Sequence, residues 1–309
     1  MADILVVGSL NADLTVNVPR FLKPGETLTG SKFSVFTGGK GGNQAVAAAR
    51  LGAKVAMVGC VGGDANGEMY KAALQREGVS LEAIRTIEDE TTGVAVITVD
   101  GNGENTIAIV PGANIALSVD VVTESRALLE SAKVCLFQLE TPLPSIQHAA
   151  ALVHAAGGKV ILDPAPAPEK PLSQALIMLC DFITPNETEL SLLTGMPVTT
   201  LEQAVEASMK LIGQGAKAVI NKRGSAGALL VTREGYRMHE GFKVKAVDTT
   251  AAGDTFNAGL AVGLSMDLEL SDAINLANAA AAISVTALGA QGAMPSFEQA
   301  SALIDGITL

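Results

Sequence analysis

The sequence predicts an α/β protein whose main sheet is mostly parallel and is covered by helices on both faces. Short, wholly apolar segments such as Ile4-Leu5-Val6-Val7 alternate with longer segments of helical period along most of the chain. Strands without polar positions are typical of parallel sheets, because both of their faces are buried. Hydrophobic residues make up 48% of the 309 residues, which is ample for one large domain with or without a smaller one.

The predicted elements follow one another as strand and helix. Strands are expected at residues 4–7, 54–58, 134–137, 160–162, 182–183 and 218–220. Helices are expected at residues 45–51, 69–77, 127–131, 146–155, 172–178, 201–212, 258–264 and 270–287. In such folds ligands bind in the loops that follow the carboxyl ends of the strands, so functional residues are expected in those loops.

Two segments depart from this alternation. Residues 13–36 contain prolines and a glycine between short alternating stretches, and residues 93–109 resemble a hairpin around the turn Asp100-Gly101-Asn102-Gly103. They predict a small antiparallel sheet that forms a lid, although they could instead extend the main sheet. The predicted main domain comprises residues 1–12, 37–92 and 110–309, and the predicted lid comprises residues 13–36 and 93–109.

Charge and cysteine content narrow the class of protein. A net charge of −11 argues against a nucleic-acid partner or an anionic membrane surface. Cys60, Cys135 and Cys180 lie far apart in apolar segments without zinc spacing, as is typical of buried reduced thiols. Asp3 interrupts the start, and neither a signal peptide nor an uncharged apolar span is expected. A cytoplasmic protein without a membrane partner is therefore expected.

The stretch from Asp248 to Phe256 carries the most chemistry. Asp254 directly follows Ala251-Ala252-Gly253 and directly precedes a helix-like segment. Small residues let backbone amides approach a ligand, and a helix N-terminus adds a partial positive charge. The pattern is that of an anion hole for a phosphate, with a carboxylate beside it that can accept a proton. The alternative is that Asp254 only caps the helix.

A glycine cluster, Gly38-Gly39-Lys40-Gly41-Gly42-Asn43-Gln44, precedes another helix-like segment. Its spacing is neither that of a Walker A loop nor GxGxxG, so a nucleotide-dependent oxidoreductase is not favoured. Glycines allow a backbone to approach a ligand closely, and Lys40 and Asn43 suit hydroxyls and a charged group. The alternative is a plain flexible loop.

Further polar residues follow predicted strands. Asn11 and Asp13 offer neighbouring acceptors for sugar hydroxyls, or they only end a strand. Glu140 follows another strand, and it either contacts a bound ligand or is a solvated carboxylate in a loop. Asn186 and Glu189 are three residues apart, so they share one face of a helix and could approach one metal–phosphate group. Their alternative is a capping box.

Together these motifs resemble the ribokinase (PfkB) family of carbohydrate kinases along almost the whole chain. The resemblance implies that Asp254 is the catalytic base and that the amides of Ala251, Ala252 and Gly253 form the anion hole. The sugar site that it implies consists of Asn11, Asp13, Gly39, Lys40, Gly41, Gly42, Asn43, Glu140 and Asp254. The implied ATP site, with Mg²⁺ held near its phosphates, consists of Asn186, Glu189, Lys222, Gly224, Ser225, Gly227, Gly253 and Asn278.

The same resemblance implies a potassium ion that activates the enzyme. Its site consists of Asp248, Thr250, Ser284, Ala287 and Gly289, built largely from carbonyl oxygens. Two positions depart from the family pattern. Lys222 replaces a usual threonine at the ATP phosphates, and Ala293 stands where a serine often helps to hold the cation.

The activity implied is that of a transferase of carbohydrate metabolism, which uses ATP to phosphorylate the primary hydroxyl of a pentose. D-ribose is the expected substrate and D-ribose 5-phosphate the product. Lys222 keeps related kinases for deoxyribose, a nucleoside or a keto-sugar acid open as alternatives. A sugar-binding regulator without catalysis is a further alternative, against which Asp254 argues. The family also implies a homodimer formed through the lid, with the sugar and ATP as ligands.

Overall fold

A computed structural model describes residues 2–168 and 170–306 of the chain. The strands are β1 (Ile4–Val7), β2 (Asn11–Asn17), β3 (Lys32–Gly38), β4 (Val55–Gly62), β5 (Ser80–Ile87), β6 (Gly93–Val99), β7 (Asn105–Val110), β8 (Val134–Phe137), β9 (Lys159–Leu162), β10 (Phe182–Ile183), β11 (Ala218–Lys222), β12 (Gly227–Thr232) and β13 (Gly235–Glu240). The helices are α1 (Lys40–Arg50), α2 (Ala65–Arg76), α3 (Val119–Glu124), α4 (Arg126–Ser131), α5 (Leu143–Ala155), α6 (Gln174–Leu179), α7 (Glu187–Thr194), α8 (Leu201–Gly213), α9 (Ala252–Ser265), α10 (Leu270–Ser284) and α11 (Phe297–Ile304).

The large sheet has nine strands in the order β13-β12-β11-β10-β9-β8-β1-β4-β5. All neighbouring strands from β11 to β5 are parallel, and only β12 and β13 add antiparallel pairs at one edge. The six strands that the sequence predicts all lie in this sheet. The predicted fold class, a mostly parallel sheet with helices, is therefore confirmed.

Both faces of the large sheet are buried. Successive side chains of a strand point to opposite faces, so Ile4 and Val6 lie in one apolar cluster and Leu5 and Val7 in the other. The first cluster includes side chains of α1, α9 and α10, and the second includes side chains of α5 and α8. This two-sided burial explains why the strand segments are apolar at every position.

The small sheet is separate from the large one and has the order β3-β2-β6-β7. Its outer pairs are antiparallel as predicted, whereas its central pair, β2 with β6, is parallel. The chain enters and leaves this sheet along one line, because Asn11 pairs with both Gly38 and Gly93, and Val94 pairs with Val110. The sheet thus extends a few residues beyond the predicted lid limits, and the division into domains stays a prediction.

Several boundaries differ from the sequence prediction. The helix expected at 45–51 begins at Lys40, inside the glycine cluster, and the one expected at 258–264 begins at Ala252. β5, β12 and β13 were not predicted. β5 is only partly buried and β13 is largely exposed, so neither has the wholly apolar pattern of the predicted strands, whereas β12 is apolar and mostly buried and was missed all the same. Within the described residues, no helix is long and apolar enough to cross a membrane.

Helices α9 and α10 pack at very short range through small residues. A Cβ added to Gly259 would lie 2.8 Å from the Cα of Ala277, and one added to Gly263 would lie 2.7 Å from the Cα of Ala273. Glycine is required where a backbone must approach this closely, whereas alanine would be better for helix propensity alone. The contact fixes the position of α9, whose first turn contains Asp254.

We expect Gly259→Ala to lower the free energy of unfolding by about 1–3 kcal/mol, because the new methyl group overpacks a backbone contact. Denaturant titration measures this change. Gly213→Ala is the matched control, since it also lies in a helix and a Cβ there meets nothing within 4 Å. The control should be neutral or more stable by up to about 1 kcal/mol. Equal effects at both positions would contradict the packing argument.

Candidate active site

The polar residues that the sequence singles out meet at the carboxyl edge of the large sheet. Phe137 at the end of β8 pairs with Leu162 at the end of β9, so the next residues of both strands lie at one level. Asp163 directly follows β9, and its amide donates to the Phe137 carbonyl at 2.8 Å. Helix α9 points its N-terminus to the same edge, which brings Asp254 to these loops.

Asp254 is buried, with 5% of its surface exposed, in the first turn of α9. The helix is capped by Ala251, a left-handed residue with φ of 60°, so the capping alternative for Asp254 is not what the structure has. Its carboxylate accepts hydrogen bonds from Asn43 Nδ2 at 3.0 Å and from Gln44 Nε2 at 3.1 Å. Burial raises the pKa of Asp254 to about 6, although Lys40 and the two amides oppose the rise.

The glycine cluster lets α1 lie against the end of β1. A Cβ on Gly41 would lie 2.6 Å from the Ser9 amide nitrogen, and one on Gly42 would overlap the buried Tyr70 hydroxyl. The amides of both glycines donate to Ser9, to its hydroxyl at 3.3 Å and to its carbonyl at 3.0 Å. These two glycines therefore serve packing in the structure, and their contact with a sugar stays a prediction.

The carboxylates predicted to bind sugar lie near one another. Glu140 accepts hydrogen bonds from the Ser9 hydroxyl and from the Lys40 amide, the latter at 3.0 Å. Asp13 lies against Gly38, where a Cβ would overlap its carboxylate. Burial, followed by the charges of Glu140 and Asp254, raises the pKa of Asp13 to about 7.

Lys40 is the cation among these acids. Burial lowers its pKa, but the surrounding carboxylates, Asp254 first among them, outweigh burial and hold the pKa above its usual value. Lys40 therefore stays protonated. Gly39, which caps α1 with φ of 80°, would place a Cβ 2.8 Å from the Asn11 amide nitrogen.

Asn11, also predicted to bind sugar, is buried at the start of β2. Its Oδ1 accepts a hydrogen bond from Asn114 Nδ2 at 2.8 Å. Asn114 also accepts from the Leu10 amide at 2.9 Å, so it fixes the junction between β1 and β2. The sequence analysis missed Asn114, which lies in a short 3-10 helix, Gly112–Ala116, without strand or α-helix signals.

A cavity of about 550 Å³ adjoins the first turn of α9. Six of the residues predicted to bind ATP line it, namely Lys222, Gly224, Ser225, Gly227, Gly253 and Asn278. Phe242, Val244 and Phe256 add apolar walls that the sequence analysis did not identify. A cavity with apolar walls on one side and small polar residues at a helix N-terminus suits the nucleobase and the phosphate chain of a nucleotide.

Asn186 and Glu189 form the capping box that the sequence left open. Asn186 Oδ1 accepts from the Glu189 amide at 2.8 Å, and Glu189 accepts from the Asn186 amide at 2.7 Å. Both residues lie outside the lining of the cavity, but the Lys222 amide donates to Pro185 at 2.8 Å, beside them. Burial raises the pKa of Glu189, and the positive charge of Lys222 opposes the rise.

Three of the residues predicted to bind potassium, Asp248, Thr250 and Gly289, are joined by hydrogen bonds. The carboxylate of Asp248 accepts from the amides of Thr250 and Gly289, each at 2.9 Å. The Ser284 hydroxyl instead donates to the Ala281 carbonyl at 2.9 Å, inside its own helix, and Ala287 is exposed. The described residues contain no group of three or more His, Cys, Asp or Glu side chains that could hold a metal ion.

Comparison with known proteins identifies the family to which this chain belongs. The model of the pfkB family carbohydrate kinases matches residues 1–296. This chain is a pfkB family carbohydrate kinase. It is 45% identical to a ribokinase of Haemophilus influenzae over 96% of each chain, and 38% identical to a deoxyribokinase of Salmonella typhi over 96% of this chain and 97% of the relative.

The structural comparison agrees with this assignment. A structure of Arabidopsis thaliana ribokinase complexed with ribose and ATP matches this kinase with a TM-score of 0.93 and 36% identity. The match covers 98% of each chain. The ribokinase-like fold with a large sheet and a small second sheet is therefore that of this kinase.

Three polar residues of the kinase site were not assigned from sequence. Gln44 Nε2 donates both to Asp254 and to Asp163 Oδ2, the latter at 3.0 Å. Gln291 Nε2 donates to Asn43 at 3.1 Å, while its Oε1 accepts from Thr37 on β3 at 2.6 Å. Asp163 directly follows a predicted strand, so the rule that selects Glu140 would also have selected Asp163. No comparable signal marks Gln291.

We expect Asp13→Asn to raise the free energy of unfolding of the sugar-free kinase at pH 8. The folded pKa of Asp13, about 7, lies above the value of 3.8 for an exposed aspartate, so the stability contributed by this group falls as pH rises between them. Asparagine avoids this loss, and the gain should shrink from pH 7 towards pH 4. Denaturant titrations at several pH values measure it.

Asp248→Asn is the control, because it should change the free energy of unfolding at pH 8 in the opposite direction. Although burial raises the pKa of Asp248, the Thr250 and Gly289 donors hold it below the usual value. Removing that charge should lower the free energy of unfolding at pH 8. A loss of stability in Asp13→Asn at pH 8 would show that the Asp13 carboxylate is not under electrostatic strain.

Proposed function

We propose that this kinase transfers the γ-phosphoryl group of ATP to the primary hydroxyl of D-ribose and gives D-ribose 5-phosphate. The position of Asp254 carries the proposal, because this buried carboxylate directly follows Gly253, which lines the cavity, and its charge acts on Asp13 and Lys40 on the proposed sugar side. Ribokinases of Haemophilus influenzae and Arabidopsis thaliana are similar along nearly the whole chain, and the latter binds ribose and ATP.

Asp254 is proposed to accept the proton of the attacking hydroxyl. A pKa of about 6 leaves the carboxylate ionised at neutral pH, while it remains more basic than an exposed aspartate. Asn43 and Gln44 each donate to one of its oxygens, which orients the carboxylate and leaves acceptor sites on both oxygens for the substrate. Proton transfer can then follow the attack on phosphorus without rearrangement of the base.

Charge on the transferring phosphoryl group would be stabilised at the first turn of α9. Of the predicted amides, that of Ala252 already donates to the Thr249 carbonyl at 3.2 Å. We therefore assign the main part to the Gly253 amide and to the helix N-terminus, whose position Ala251 sets. Lys222, Gly224, Ser225 and Gly227 would contact the phosphates, and Asn278 would lie near the adenine.

The sugar is proposed to bind between the small sheet and α1. Asp13 and Glu140 would accept from its hydroxyls, because charged acceptors bind hydroxyls more strongly than neutral ones, and the neutral Asn11 would add a weaker contact. Lys40 balances their charges, and the backbone at Gly39 allows close approach. In this proposed arrangement the primary hydroxyl would point towards Asp254.

Magnesium fits the acidic and amide groups beside Lys222, but only through water. Asn186 and Glu189 offer hard oxygen donors, and both are already engaged in the capping box. We propose that they orient waters around an ion bound to the ATP phosphates. When bound, the ion supplies charge neutralisation at the phosphates.

Potassium is proposed at the loop of Asp248. The partly buried carboxylate of Asp248 and the Val285 carbonyl, which accepts from the Asp248 amide at 3.2 Å, offer oxygen ligands for a hard monovalent cation, and the amides of Thr250 and Gly289 hold that carboxylate in place. The bonds from these amides tie the loop before α9 to the segment after α10. An ion held there supplies positive charge next to the amides that precede Asp254.

A homodimer is proposed through the small sheet. Its strands expose apolar side chains that a partner would cover, among them Phe33, Phe36, Ile107, Ile109 and Val110.

A cytoplasmic location is inferred from Cys60, Cys135 and Cys180, which are all free and buried.

Deoxyribose is the second candidate substrate. Two Salmonella deoxyribokinases are 38% identical to this chain over 96% of its length, which is close to the identities of several ribokinases. A coupled assay with ATP and a panel of ribose, deoxyribose, fructose, a nucleoside and a keto-sugar acid tests the proposal. Ribose should give the highest kcat/KM, and a higher value for another sugar would replace ribose as the substrate.

We expect Asp254→Asn to lower kcat by about 10²–10⁴-fold, because proton transfer by a positioned base contributes that much. The fold and ATP binding should stay largely intact. Activity within about threefold of wild type would refute the role of base, since the low end of the range is larger.

The pH profile gives a second measure of the same group. The base acts when deprotonated, and its pKa in the sugar-free enzyme is about 6. Because the charged form of Asp13, whose pKa is about 7, is also proposed to bind the sugar, kcat/KM for the sugar should fall at least about tenfold per pH unit below 6 and level off only above about 7. A flat profile between pH 5 and 7 would contradict the assignment.

We expect potassium to raise the rate of cation-free enzyme at fixed ionic strength. Sodium and lithium should do so less, because they prefer other oxygen distances. Ala293 lacks the hydroxyl that often helps to hold the ion, so half activation should require a high potassium concentration. A flat response would refute the site without affecting the case for Asp254.

A further inference from the structure

Lys222 and Asp163 form a nearly inaccessible ion pair in the candidate site. Lys222 Nζ lies 2.8 Å from Asp163 Oδ1, and the two side chains are only 12% and 2% exposed. Removing two charges from water is costly, and a buried pair adds little stability compared with apolar residues of similar volume. The pair therefore calls for an explanation other than stability.

The ammonium group of this pair is in an electrostatically unfavourable place. Nζ of Lys222 lies 3.3 Å from the position that a Cβ on Gly253 would occupy, directly at the first turn of α9. A helix N-terminus carries partial positive charge, so it repels a cation and attracts an anion. Without the carboxylate of Asp163, the ammonium group would move away from this point.

Asp163 is itself fixed. Its Oδ2 accepts a hydrogen bond from Gln44 Nε2 at 3.0 Å, so one oxygen binds Gln44 and the other binds Lys222. Gln44 Oε1 in turn accepts from Gln138 Nε2 at 2.6 Å. The carboxylate therefore has one orientation, and that orientation directs Oδ1 at the ammonium group.

We propose that Asp163 is a positioning residue that holds the Lys222 ammonium group at the N-terminus of α9 before ATP arrives. The inference rests on the proposed function, because it takes phosphate oxygens to be the anion that meets Lys222 there. An ammonium group has three N–H donors, so it can keep one bond to Asp163 and direct others at phosphate. The cation is then in place before the reaction, and no reorganisation is needed when charge moves to the transferring group.

A double-mutant cycle of Asp163→Asn and Lys222→Met tests this role. Asparagine keeps one oxygen for Gln44 and presents an amide group, which accepts no hydrogen bond, to Lys222. Methionine keeps most of the length of lysine without its charge. We expect Asp163→Asn alone to lower kcat at least about tenfold, because a misplaced group costs up to about 10²-fold. In the Lys222→Met background the same change should cost less than about twofold.

Binding of a non-hydrolysable ATP analogue, measured by calorimetry without sugar, is the second readout. Asp163→Asn should weaken this binding in the wild-type background and leave it unchanged in the Lys222→Met background. Equal losses in both backgrounds, or no loss in either, would overturn the proposal. If no sugar is phosphorylated by the wild type, the proposed function fails, and the binding cycle still decides the role of Asp163.

A second ion pair, whose side chains are 57% and 16% exposed, provides a control outside the candidate site. Lys217 Nζ lies 2.6 Å from Asp181 Oδ1 at the opposite edge of the same sheet, and Asp181 also accepts from the Val160 amide at 2.8 Å. Asp181→Asn and Lys217→Met should leave kcat and analogue binding unchanged, whatever they do to stability. Denaturant titration of all variants separates effects on folding from effects on function. If a control variant that loses as much stability as Asp163→Asn also loses as much kcat, the positioning role is contradicted.

Discussion

Two buried carboxylates, Asp163 and Asp254, share the side-chain amide of Gln44, and the site depends on this interaction. A buried charge is tolerated only when it is paired and hydrogen-bonded. Asp163 is balanced by Lys222, whereas Asp254 relies on Asn43, Gln44 and the more distant charge of Lys40. The incomplete balance at Asp254 keeps its pKa near 6, within the range in which a carboxylate can be both ionised and usefully basic.

Close backbone contacts bring the members of this network together. Gly41 and Gly42 let α1 lie on the end of β1 so that Gln44 reaches both acids. Gly259 and Gly263 let α9 lie against α10 with almost no side chain between them, which fixes the helix that carries Asp254. At these four positions glycine therefore allows close packing, and the glycine cluster forms the start of α1 instead of a plain loop.

The sequence was sufficient for the parts of the fold that depend on local patterns. The wholly apolar strands and the acids that follow them, such as Glu140, were found because burial and strand ends leave a signal in neighbouring residues. β13 was not found, because its pattern is set by pairing with β12 at an edge. Gln291 was missed for a similar reason: its partners Thr37 and Asn43 are about 250 residues away, and no local rule records such a contact.

The line along which the chain enters and leaves the small sheet has a mechanical consequence. Asn11, Gly38 and Gly93 lie side by side in register, with Val110 one residue further on the last strand. A body attached along a single line has one soft degree of freedom, rotation about that line, while sliding and twisting are resisted by every attachment at once. Asn114 stiffens one end of this axis through its bonds to Leu10 and Asn11. Asp13 lies two residues beyond Asn11 on β2, so rotation about the axis would move Asp13 along a short arc over the proposed catalytic base, Asp254.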